Sequence, residues 1–232
     1  MGFYRGLSIV RENLVYCIDP AAVRSYSGSG SNMTDLSSSK LNSTSGTFIS
    51  AGGGKGYYLR SDGGTVSTAS TAVLDTDNHS ICMLFRMATN GTYPNSTTGS
   101  WNKIFGYEPS GTDRSPGIWR FPDNRQIHWT YNPGNTSTNF GPGGLGTDFS
   151  ANVDYYVIMM KSGSNTFFWV NGTKYTGITN CANPKTSGSS PIYLLPGYPS
   201  EIFHLKALQV YNKSLTDAEA NQNWLAMKNR IS

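Results

Sequence analysis

The sequence predicts an all-β chain that folds as one domain and carries a single short helix at its C-terminal end. Three observations lead there. Charged residues make up only 14% of the 232, with 26 glycines and an abundance of Ser, Thr and Asn, a composition that builds short strands and many turns rather than long surface helices. The stretch "TFFWVNGTKYTG", residues 166 to 177, sets five aromatic or β-branched residues in a row before an Asn-Gly pair, which suits the positive φ of a two-residue hairpin turn. Only "LTDAEANQNWLAMKNRIS" carries helix signals. All-β units of about 200–250 residues commonly form one domain, and neither an internal repeat nor a composition break divides residues 1–232.

From the N-terminus, "GLSIVRENLVYCIDP" breaks its apolar residues with Arg11 and Glu12. No signal-peptide core and no membrane span is expected there, which points to synthesis in the cytosol without membrane insertion. "LVYCI", Leu14 to Ile18, reads as the first strand, stopped by Asp19-Pro20 because proline cannot donate to a ladder. The next 25 or so residues lack apolar periodicity and read as an irregular surface excursion. Short strands follow around Phe48-Ile49 and Tyr57-Leu59, split by a glycine run. "HSICMLFRM", His79 to Met87, puts Ile81, Met83 and Phe85 on one face and Cys82 and Leu84 on the other, the pattern of a strand buried on both sides. Between Trp101 and Asn152, aromatic strands alternate with Pro- and Gly-rich turns, the most favourable ground for functional loops.

"DYYVIMMKSGSN" then supplies an apolar strand and a turn before the Asn-Gly hairpin, so three strands succeed one another as a meander. In the hairpin's first arm, Phe167 and Trp169 point one way, Phe168 and Val170 the other, and both faces need cover. Strands near Ile192–Leu195 and from Ile202 to Tyr211 complete the set. The C-terminal helix, residues 215–231, opens with Thr216 and Glu219 in capping-box spacing, and Ala220, Trp224, Met227 and Ile231 make an apolar stripe.

Composition also excludes function classes. A net charge of +4 with no run of Lys or Arg is too diffuse for a phosphate-tracking groove, so nucleic acid is not an expected partner. The three cysteines, Cys17, Cys82 and Cys181, are odd in number and scattered, which indicates neither a disulfide framework nor a zinc cluster; Cys17 and Cys82 read as inert core residues. Asn-x-Ser/Thr triplets at Asn42, Asn90 and Asn171 are what chance makes in so Asn-, Ser- and Thr-rich a chain.

The closing segments "YYVIMM", "TFFWVNGTKY", "IYLLPG" and "IFHLKALQVYNKSLTDAEANQNW" resemble the last strands of concanavalin A-like jelly-roll domains of the laminin G-like type. Tyr211, Asn212, Leu215, Thr216 and Glu219 match that family's ending one by one. The N-terminal "LVYCIDPAAVRSYSGSGSNMTDLS" is similar to a version common in tailed-phage virion proteins, with the match carried by Asp19, Ser25, Tyr26, Gly28, Ser29, Gly30, Asp35, Leu36 and Ser37. The resemblance covers nearly the whole chain and implies a two-sheet antiparallel jelly-roll sandwich. It does not choose among the lectins, hydrolases, adhesive modules and structural subunits built on that fold.

Candidate sites follow from residue chemistry. A glycosidase on this sandwich needs two carboxylates across a groove, carried in laminarinase-like members as Glu-x-Asp-x-x-Glu. That triplet is missing, and the four glutamates, Glu12, Glu108, Glu201 and Glu219, form no acid–base pair by spacing, so a non-enzymatic protein is expected. Trp119, Arg120, His128, Trp129 and Tyr131 are candidate glycan-binding residues, because aromatic faces stack on pyranose rings while Arg and His reach hydroxyls; the alternative is that these rings fill a sandwich core. Asp75 and Asp77 in "DTDNHS" are weak candidate calcium ligands beside the simpler reading of a polar turn, since calcium takes 6–8 oxygens. No other cofactor is implied. The histidines His79, His128 and His204 read as structural.

The phage-type signature, a domain beginning near Met1, the lack of a signal peptide and the missing catalytic pair together lead to the expectation of a phage virion structural protein. The preferred version is a head decoration or cementing subunit bound to the major capsid protein or another virion protein, with homo-oligomers on a symmetric lattice multiplying weak contacts. Residues 1–13, with Phe3, Tyr4 and Arg5, form the candidate attachment segment, as aromatics and Arg favour interfaces. The rival expectation is a carbohydrate-binding module or tail adhesin recognising host surface glycans. A cellular laminin G-like module is a third.

Overall fold

The computed structural model describes residues 8–44, 46–50, 57–60, 66–70, 73–74, 76–87, 102–106, 116–121, 124–131, 136–181, 191–195 and 203–231. They form two antiparallel sheets stacked face to face and one short helix.

The eight-stranded sheet runs from edge to edge as β13 (Thr173–Thr176), β12 (Asn165–Val170), β11 (Asp154–Ser162), β5 (His79–Met87), β15 (Phe203–Tyr211), β3 (Tyr57–Arg60) and β2 (Thr47–Ser50), while β1 (Leu14–Ile18) pairs with the free length of β15. The seven-stranded sheet runs as β10 (Gly144–Leu145), β9 (Thr136–Gly141), β8 (Ile127–Tyr131), β7 (Gly117–Arg120), β6 (Asn102–Gly106), β14 (Pro191–Leu194) and β4 (Val66–Ser70). The expected strands at residues 14–18 and 79–87 form with those bounds, and the three-strand meander forms as β11, β12 and β13. β4 was not anticipated, because "VSTAS" has one large apolar residue and no alternation a strand search would register.

Strand alternation distributes the side chains between two apolar layers. Ile81, Met83, Phe85, Val157, Met159, Phe168, Leu205 and Val210 from one sheet meet Ile104, Ile118, Ile127, Trp129, Phe140 and Leu194 from the other in the inter-sheet core. The opposite face of the eight-stranded sheet is not left bare: Cys82, Leu84, Tyr156, Ile158, Met160, Trp169 and Tyr211 pack with Val10, Ala220 and Met227. This answers the demand set by the hairpin. Phe168 and Val170 enter the inter-sheet core, whereas Trp169 and Phe167 belong to the second layer with the C-terminal helix.

That helix, α1 (Asp217–Met227), carries the expected capping box at Thr216 and Glu219 and ends in a 3-10 turn over Lys228–Arg230. Its buried face includes Asn223, which the apolar stripe did not indicate. The Asn223 side chain accepts from the Val10 amide at 2.7 Å and donates to Tyr211 Oη at 3.1 Å, and Tyr211 in turn donates to the Val10 carbonyl at 3.0 Å. Burial pushes the Cys17 and Cys82 thiols up to about 12, consistent with inert core thiols.

The 19–44 excursion is irregular but ordered by side chains. Fully buried Asp35 accepts from the amides of Cys17, Ser37 and Leu41, each at 2.8 Å, and from Ser37 Oγ at 2.7 Å. Ser25 Oγ donates to the Thr34 carbonyl, and Tyr26 stacks on Phe48 with centroids 3.8 Å apart. Asp19 takes a bidentate pair from Arg230 at 2.6 and 2.9 Å, which joins the start of the excursion to the end of the chain. Several of the residues that carry the N-terminal resemblance therefore build this loop.

Candidate functional site

The five aromatic, Arg and His candidates do not all converge on one face. β8 alternates, so Ile127, Trp129 and Tyr131 point between the sheets while His128 and Thr130 point away. Trp129 and Tyr131 are each 1% exposed within the inter-sheet core. They fill the sandwich, which corrects their assignment to a glycan site: no ligand ring can reach a side chain closed between two sheets. Arg120 shares the strand parity of Ile118 at the end of β7 and is half-buried. Trp119 and His128 stand opposite each other across the β7–β8 ladder on the outer face of the seven-stranded sheet.

The registers extend this pair into a row. Lys103 of β6 is the cross-strand neighbour of Trp119, and Asn139 of β9 is the neighbour of His128. The order across four adjacent strands is thus Lys103, Trp119, His128, Asn139. Lys103 Nζ lies 5.3 Å from the Trp119 ring centroid, the Trp119 and His128 rings meet edge to face at 5.9 Å, and His128 Nδ1 is 2.5 Å from Asn139 Oδ1. Because an amide oxygen only accepts, this contact puts a proton on Nδ1. The far edge of the Trp119 ring lies over Gly117, where a Cβ would come within 1.9 Å of the indole, so any other residue at 117 displaces the ring.

Lys103 and Trp119 are each 3% exposed and His128 5%, whereas Asn139, Phe121, Ser137 and Tyr193 are half-buried. Tyr193 of β14 alternates with inward-facing Ile192 and Leu194 and so belongs to the same outer face. The row thus sets a covered indole beside ammonium, imidazole and amide groups, the apolar and hydrogen-bonding chemistry that sugar sites combine. Lys103 and Tyr193 escaped the sequence reading because register, not sequence distance, brings them beside Trp119.

The remaining candidates separate. Phe3, Tyr4 and Arg5 lie outside the described residues, as does Asp75. Asp77 is exposed, and its carbonyl accepts from Lys161 Nζ at 3.3 Å. Among the described residues no group of three or more His, Cys, Asp or Glu side chains could hold a metal ion, and no helix is long and apolar enough to cross a membrane.

No protein-family model matches the chain, and no curated protein matches it. Solved structures do. The chain is similar to Trypanosoma rangeli sialidase with a TM-score of 0.66 at 14% identity, over 96% of this chain and 34% of that one. It is similar to the binding domain of Paraclostridial Mosquitocidal Protein 1 with a TM-score of 0.69 at 14% identity, over 92% of this chain and 52% of that one. The binding domain of botulinum neurotoxin serotype D matches with a TM-score of 0.66 at 11% identity, over 93% and 52%. The chain therefore spans about a third of the sialidase and about half of each toxin binding domain. The expectation of a non-enzymatic protein is corrected here. The same fold occurs within proteins named as sialidases, so the missing laminarinase-type triplet argues against one carboxylate arrangement and not against catalysis. At these identities the likeness establishes the fold: an antiparallel two-sheet β-sandwich.

Proposed function

We propose that the chain is a carbohydrate-binding module whose binding surface is the outer face of the seven-stranded sheet. The observation that carries this reading is the row Lys103–Trp119–His128–Asn139, set by register across four strands with Phe121 and Tyr193 at its margins. Support also comes from the company of the fold, which includes a sialidase and the binding domains of two toxins. Glycan-array screening followed by calorimetry tests it. Saturable binding to one class of glycan is expected, weakened at least about tenfold by Trp119→Ala and by Asn139→Ala while the fold persists, in line with the loss of one stacked ring or one hydrogen-bonding partner. Binding to no glycan, or binding indifferent to both substitutions, overturns the reading.

A particle-surface role is the second reading, favoured by the resemblance of residues 19–37 to the signature of tailed-phage virion proteins. There the module would be a head decoration or cementing subunit on the capsid, or a glycan-reading adhesin on the tail. Immunogold labelling with a count of copies per particle separates these. Hundreds of copies on the head support decoration, a few on the tail support the adhesin, and none on any particle removes the virion role.

A further inference from the structure

One end of the inter-sheet core is polar, and neither reading above uses it. His79 opens β5 and Lys161 stands opposite it near the end of β11, both with no exposed surface. His79 Nδ1 is 3.1 Å from the Thr76 carbonyl and Nε2 is 2.7 Å from Tyr131 Oη. A carbonyl only accepts, so Nδ1 carries the proton and Nε2 accepts from the Tyr131 hydroxyl. This contact spans the sandwich, from β5 of one sheet to β8 of the other.

Lys161 secures the adjoining turns. Its ammonium donates to the carbonyls of Asp77 and Gly163 and lies 5.6 Å from the Tyr131 ring centroid. The Gly163 amide donates to Asn78 Oδ1 at 2.9 Å, and the Cys181 amide donates to the Ser164 carbonyl at 2.7 Å. Among the described residues, the titratable groups against His79 are Tyr131 of β8 and Lys161 of β11, with buried Cys181, beyond β13, near those two and the Asp77 carboxylate exposed in the turn. Burial keeps the Tyr131 phenol neutral, so a proton arriving on Nε2 puts a second positive charge beside Lys161 and competes with the hydrogen bond from Tyr131.

We propose that His79, Tyr131 and Lys161 form an acid-sensitive latch that releases this end of the sandwich, the turns at 76–78 and 162–165 and the segment holding Cys181, while the rest of the fold stays closed. Burial holds the His79 imidazole down at about 4, against 6.5 when exposed. Opening therefore takes up a proton, and its equilibrium constant rises roughly 20-fold between pH 7 and pH 5.

The three cysteines report it. Cys181 sits at this end, whereas Cys17 and Cys82 lie in the layer under α1. The protein is treated with a pyridyl disulfide, which still reacts with thiols in acid, and labelling rates are normalised to a model thiol at each pH. The expected result is a rise of roughly 20-fold in Cys181 labelling from pH 7 to pH 5, with Cys17 and Cys82 still protected and the rise lost in His79→Gln. An unchanged Cys181 rate, a parallel rise at all three cysteines, or the same rise in His79→Gln overturns the latch. If His79→Gln does not fold, hydrogen exchange on the wild type decides. Selective loss of protection at Gly163, Thr166 and Cys181 supports the latch, and uniform loss including β5 and β15 overturns it.

Discussion

Gly172 combines two constraints that no other residue type meets. Its φ is +88°, and a Cβ built there would lie 2.5 Å from Trp224 Nε1. The Gly172→Ala variant is expected to lose about 1–3 kcal/mol from backbone strain and displacement of the indole together, measured as a lower urea midpoint at unchanged slope. The φ of the turn was legible in the Asn-Gly pair, because it is local; the indole above it was not, because Trp224 lies 52 residues further along the chain. Asp35 makes the same point in reverse. Its place in a "DLS" motif marks it in the sequence, yet only the structure shows a buried carboxylate receiving four hydrogen bonds. Replacing it with alanine leaves three buried or half-buried amides and a hydroxyl to find new partners and should cost about 3 kcal/mol or more, readable in the same urea titration.

At the scale of elements, α1 was the most legible. A capping box has a short sequence span, and the structure places Thr216 and Glu219 in it. Thr216→Ala is expected to cost about 1 kcal/mol, with thermal unfolding as the measurement. Polar contributors to the helix interface were hidden, since Asn223 reads as a surface residue until Val10 and Tyr211 arrive to pair with it. The candidate site divided for a related reason. Alternation along "IHWTY" assigns His128 and Trp129 to opposite faces, and only the pairing of β8 with its neighbours shows which face is closed. The excursion after Pro20 was expected to be irregular for want of apolar periodicity; it is irregular, yet hydrogen bonds made by Ser25 and received by Asp19 and Asp35 supply the order that apolar periodicity lacks.

For the molecule as a whole, stacking of two sheets was legible in side chains that are apolar on both faces of β5, β11 and β12, while the order of the strands was not. Stability should respond to pH through His79. Above about 6.5 its folded and unfolded states are both neutral and nothing is lost. As pH falls from 6.5 toward 4, the unfolded chain binds a proton that the folded one refuses, and stability declines by roughly 3 kcal/mol. Calorimetric Tm values between pH 7.5 and 4 should therefore drop more steeply for the wild type than for His79→Gln, and equal slopes would remove His79 as the cause. The position of β15 has a different consequence. It lies between β5 on one side and β1 and β3 on the other, although it is the last strand in sequence. A chain emerging from the ribosome holds the earlier strands of this sheet without the one that joins them, so its two parts can be united only once residues 203–211 are available. Closure of the eight-stranded sheet accordingly depends on long-range pairing to β15, which is expected to be its slow step.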